Sequence, residues 1–94
     1  MGSYTNVSNN REKIIGIMAD VTGCSTKKIW GGTKIEKVFD PLGDDALYRY
    51  FDFCSRLEKE FNIALSDDEM VAILPETLLG LELRISKKLP AQKA

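Results

Sequence analysis

The stretch DDALYRYFDFCSRLEKEFN, residues 44–62, decides how this chain is read. Leu47, Tyr50, Cys54, Leu57 and Phe61 recur at alternating spacings of three and four, which is one continuous apolar stripe on an amphipathic helix. Asp44 and Asp45 precede it, where carboxylates favour the orphan amides and the positive end of the helix dipole. Asn62 suits its C-terminal end. Phe51 and Phe53 widen the stripe and predict contacts on more than one side.

The flanking segments carry the same period. Ser66-Asp67-Asp68-Glu69 is a capping box that opens a short helix with Met70, Val71 and Ile73. Pro75 is expected at the first position of a further helix. In it Leu78, Leu79, Leu81, Glu82, Ile85 and Leu89 face the bundle, Lys87 and Lys88 complement the dipole, and Pro90 is the stop. On the N-terminal side, Asn9 with Glu12 predicts a helix start; Ile14, Ile17, Met18 and Val21 follow at helical spacing, and Gly23 ends the run. Residues 24–41 form a long connection in which Ile29, Trp30, Ile35, Val38 and Phe39 need burial. Trp30 is expected as a lid on the core. Gly31-Gly32 matches neither GxGxxG nor GxxxxGK. Gly80 is expected to permit close packing. No run of strand period competes. The expected fold is therefore all-α, with a flexible tail at 1–8, a helical domain at 9–90 and a second tail at 91–94.

Composition narrows the function. The chain has 94 residues, enough for one small domain, and 44% hydrophobic with 29% charged residues is the profile of a soluble globular one. No apolar run reaches the ~18 residues of a membrane span, and the N-terminus lacks a signal-peptide pattern, so a cytoplasmic setting is expected. Histidine is absent, which removes the commonest general base and metal ligand together. No nucleophile–base pair or metal set can be assembled, and an enzyme is not expected. Cys24 and Cys54, without a CxxC or Cys/His cluster, read as reduced, buried thiols. Charge is segregated: residues 1–39 carry a net +3, residues 40–69 a net −6 and residues 70–94 a net +2. An acidic middle segment disfavours nucleic acid and favours a protein partner with a basic patch.

Three segments carry a family resemblance: Leu42-Gly43-Asp44-Asp45-Ala46-Leu47, Leu57-Glu58-Lys59-Glu60-Phe61-Asn62-Ile63 and Ser66-Asp67-Asp68-Glu69. Together they resemble the acyl carrier protein family over residues 10–89. The resemblance implies a four-helix bundle with a long loop between helices one and two and a short third helix. In that family a serine in a Leu-Gly-x-Asp-Ser-Leu signature bears 4′-phosphopantetheine. Here Ala46 matches the serine by motif, and Leu47 matches it when counted back without a gap from Leu57. Neither has a hydroxyl. The chain is similar to a carrier fold without the carrier's attachment residue, and also to small bacterial carrier-like proteins with a Gly-Asp-Asp-Ala segment.

The resemblance implies a monomeric interaction module without cofactor, docking through Asp44, Asp45, Leu47, Asp52 and Glu58 of helix two. Tyr48 and Phe53 are candidates for an apolar docking face. Two alternatives stand beside it. One is a true acyl or peptidyl carrier of fatty-acid or polyketide-type biosynthesis, with phosphopantetheine and a substituted serine. The other is a small inhibitor or immunity-type helical protein that binds a basic enzyme.

Overall fold

A computed structural model describes the backbone of residues 2–89 and the side chains of residues 10–89, and within them the fold is all-α. Five helices follow in chain order: α1 (Gly2–Thr22), the short α2 (Ile35–Phe39), α3 (Ala46–Phe61), α4 (Asp67–Ile73) and α5 (Leu78–Lys88). The amphipathic stretch is α3. It packs chiefly against α1 and α2, and α5 closes against α1.

The helix ends follow local chemistry. Asn62 takes the left-handed conformation at φ 54°, with its N–H donated to the Glu58 carbonyl, and α3 stops there. Ser66 accepts from the Glu69 N–H while the Glu69 carboxylate accepts from the Ser66 N–H, so the capping box that opens α4 is formed. α1 begins ahead of Asn9, which is a helical residue and not a cap. Extending an existing helix through a stretch without proline requires no new nucleation. Pro75 does not open α5 either. Thr77 is the cap, its hydroxyl accepting from the Gly80 N–H at 3.2 Å, and Pro75 lies in the turn before it. A Cβ on Gly80 would meet Glu76 Cβ at 3.4 Å, an ordinary van der Waals contact with the turn that precedes α5 and not a close approach of another helix. Pro90 and the tail at 91–94 lie outside the described residues, as do the side chains of the tail at 1–8.

One apolar core runs through all five helices. Ile14, Met18, Ile35, Phe53, Cys54, Leu57, Ile73, Leu78, Leu81 and Ile85 are its fully buried side chains. The connection between α1 and α3 is ordered. Its Ile29, Ile35 and Phe39 enter the core, a 3-10 turn forms at Thr26–Lys28 and α2 forms within it. Backbone hydrogen bonds stitch it to the α4–α5 turn: Ile35 N–H to Glu76 O at 2.9 Å, Leu78 N–H to Thr33 O at 2.8 Å, and Leu79 N–H to Gly31 O at 2.9 Å. That pairing satisfies backbone groups which a buried loop would otherwise leave orphaned.

Trp30 departs from the sequence expectation. It is not a lid: 68% of it is exposed, and Ile29 supplies the core contact instead. Both cysteines are free thiols, Cys54 buried and Cys24 half-buried. Burial pushes the Cys54 thiol up to about 11. No helix of the described residues is long and apolar enough to cross a membrane.

Candidate protein-interaction site

The site is built where the chain enters α3. Residues Asp40–Asp45 form a 3-10 turn broken at Gly43, whose φ of 62° is a conformation that glycine adopts without strain. That reversal sets Asp44 and Asp45 on the surface ahead of Ala46. Neither carboxylate caps α3. Asp45 is already helical at φ −85° and ψ −6°, whereas a side-chain cap works from an extended residue. Both carboxylates therefore face solvent.

The apolar stripe divides at this end of the helix. Tyr50, Phe53, Cys54, Leu57 and Phe61 are buried, while Leu47 is 61% exposed. Phe53 is completely buried, so it belongs to the core and not to a docking face; Tyr48 is exposed on the outer side. Tyr50 is pinned. Its hydroxyl donates to the Met70 carbonyl at 2.5 Å, and its ring meets Phe39 edge-on at 5.4 Å. Burial raises the Tyr50 phenol far above its ordinary value, so the hydroxyl remains a donor.

Around Leu47 and Tyr50 lie two shallow hollows of about 240 Å³ each. One is lined by Phe39, Ala46 and Leu74 on the α2 side. The other is lined by Phe51, Met70 and Val71 on the α4 side. Phe51 and Val71 are exposed, which makes this a contiguous apolar groove on the surface. Acids surround it. Asp40 and Glu36 line the first hollow and Asp67 the second, with Asp44 and Asp45 one step before Ala46. None of the five enters an ion pair with a described residue.

The five residues expected to act together are not gathered on one face. Leu47 lines the groove; Asp44 and Asp45 lie just ahead of Ala46 in the chain, and Asp45 shares a separate hollow with Tyr48, Arg49 and Asp52. Asp52 is 3.5 Å from Arg56, which also pairs with Asp20 at 2.5 Å. The Glu58 carboxylate accepts the Leu65 N–H at 2.8 Å and holds the α3–α4 loop. Phe51, Met70, Val71 and Leu74 were not expected at a site. Phe51 had a signal, since a residue four after Leu47 shares its flank of the helix. Val71 had none, because which side of α4 is left open depends on how α4 docks.

Ala46 presents a methyl group at the mouth of the groove, and Ser55 is exposed more than two turns further along α3. Among the described residues no group of three or more His, Cys, Asp or Glu side chains is placed to hold a metal ion. Compared with protein-family models, curated proteins and solved structures, the chain matches none.

Proposed function

We propose that the chain is a non-catalytic protein-interaction module of acyl-carrier-like type, unmodified at Ala46, which docks a partner through the groove beside α3. In this reading α1, α3, α4 and α5 stand for the four helices of a carrier bundle, and α2 occupies the long loop. The observation that carries the proposal is one coincidence: exposed Leu47, Phe51 and Val71 line a groove whose acids Asp40 and Asp67 form no ion pair with a described residue. Exposed apolar side chains rimmed by charge mark interaction surfaces. The partner is a protein segment with an apolar anchor flanked by Lys or Arg. Free thiols at Cys24 and Cys54 suit a reducing, cytoplasmic setting.

Affinity capture from a cell extract tests this reading, with wild-type protein set against Asp44→Asn/Asp45→Asn and Val71→Asp. The proposal expects a basic protein retained by the wild type, retained in lower yield by the asparagine variant and lost from Val71→Asp, while helical circular dichroism is unchanged. Retention that ignores all three substitutions would remove the groove from the account.

The carrier alternative needs a hydroxyl at the start of α3, which neither Ala46 nor Leu47 provides. The inhibitor reading uses the same face and differs only in the partner, a single tightly held basic enzyme.

A further inference from the structure

We infer that the Trp30 turn is a second docking element of this chain, and that its occupant is the α3 groove of another copy. The inference rests on the reading of that groove as a docking surface.

Trp30 is exposed, yet it is held in place. Its N–H donates to Thr33 Oγ1 at 2.9 Å, and the Thr33 N–H donates back to the Trp30 carbonyl at 3.0 Å. Gly31 anchors the turn to α5 by accepting the Leu79 N–H at 2.9 Å. The indole lies over Gly32 so closely that any Cβ there would overlap its six-membered ring. A tight turn with glycine under the ring thus presents one large aromatic side chain outward, on a backbone held by its own hydrogen bonds before any encounter. Preorganised, exposed tryptophans are characteristic anchors of protein interfaces, because little ordering entropy remains to be lost.

Charge indicates what the anchor meets. Lys27, Lys28 and Lys34 flank the turn in the sequence, all exposed and none in an ion pair with a described residue. The groove is the converse surface, apolar and lined by exposed Asp40 and Asp67, neither of them in an ion pair with a described residue. The ion pairs of the molecule use other groups, among them Arg11–Glu82, Lys13–Glu60, Arg84–Glu76 and Lys88–Glu69. Among the described residues, one chain therefore carries an apolar knob flanked by lysines without an ion pair and an apolar groove lined by carboxylates without one. Apolar side chains floor both hollows, a surface against which an aromatic ring can pack. An anionic bilayer or nucleic acid would answer the lysines and leave the groove empty; a second copy answers both. This is a heterologous contact, knob to groove, and it departs from the monomer expected from the sequence.

Sedimentation equilibrium of the full chain at low salt tests the inference. The weight-average mass of the wild type should rise with concentration and return to that of a single chain in high salt. Trp30→Ala, Lys27→Glu/Lys28→Glu and Asp40→Lys/Asp67→Lys should each lose the rise. An equimolar mixture of the two charge-reversed variants should regain it, because the acidic turn of one then meets the basic groove of the other. A wild type that stays a single chain at every concentration overturns the inference, as does self-association that survives Trp30→Ala. If self-association fails while the basic partner is still captured, only this inference falls. If both fail, the groove reading falls with it.

Discussion

Arg11 of α1 donates its Nε–H to Oε1 of Glu82 of α5 at 2.8 Å, joining two side chains 71 residues apart in the chain. Glu82 is the one charged residue buried among the described residues, and Arg11 covers it from the surface. Removing one partner of such a pair leaves a carboxylate without its donor, which costs more than the pair contributes over an apolar replacement. Arg11→Ala should lower stability by ~1–3 kcal/mol in urea unfolding. The double change Arg11→Met/Glu82→Leu should recover most of that loss. A double variant as unstable as the single one would show that the pair does more than satisfy Glu82.

Leu47 and Phe53 belong to one helix and should respond in opposite ways. Phe53→Ala opens a cavity in the core and should cost ~3–5 kcal/mol. Leu47→Ala removes an exposed side chain and should stay within ~0.5 kcal/mol, as surface substitutions do. Chemical denaturation of the two variants measures the difference directly. A loss of ~2–5 kcal/mol for Leu47→Ala would assign it to the core and close the groove.

Cys54 supplies a pH dependence. In the folded chain its thiol titrates at about 11, against an ordinary value of 9.0. The unfolded chain therefore releases this proton first as pH rises. Above pH 9 the unfolded state binds fewer protons than the native one, so stability falls with pH until the native thiol ionises as well. Tyr50, also raised by burial, extends the loss to higher pH. Thermal melts from pH 8 upward should show a falling midpoint, and Cys54→Ala should reduce the slope between pH 9 and 11. At pH 8 a thiol reagent should modify half-buried Cys24 quickly and Cys54 slowly. Equal rates would mean that the α3 core opens readily.

Prosthetic-group chemistry gives a prediction with two clear outcomes. Incubated with coenzyme A and a broad phosphopantetheinyl transferase, the wild-type chain should keep its mass by mass spectrometry, because Ala46 has no hydroxyl. Ala46→Ser should gain one phosphopantetheine if the start of α3 retains carrier geometry. A gain on the wild type itself would replace the interaction-module reading with the carrier one.

The helices were legible because their signals are local. The spacing from Tyr50 to Phe61, the left-handed Asn62 and the Ser66–Glu69 box each act within a turn or two of chain. Trp30 and Pro75 were misread for a common reason. The connection before α2 pairs with the turn before α5 through Thr33–Leu78 and Ile35–Glu76 hydrogen bonds, and that long-range pairing has no periodic signature. It turns the Trp30 segment outward and moves the α5 start to Thr77. Glu58 illustrates the same limit at the site. Its type and position suit an exposed acidic face, yet the Leu65 amide occupies its carboxylate. Asp45 and Leu47 are two residues apart on a helix, so they take different flanks, and Leu47 alone of the two lines the groove.

The central claim is that an acidic, apolar-floored groove recruits a basic partner, and the salt dependence of association with the captured protein tests it most directly. The association rate should fall steeply as ionic strength rises, because a screening length of ~8 Å at 0.15 M removes the reach of Asp44 and Asp45. Asp44→Asn/Asp45→Asn should slow association and flatten that dependence, while the Leu47 and Phe51 contacts keep the dissociation rate near that of the wild type. Association that is insensitive to salt and tolerates the double asparagine change would contradict the account.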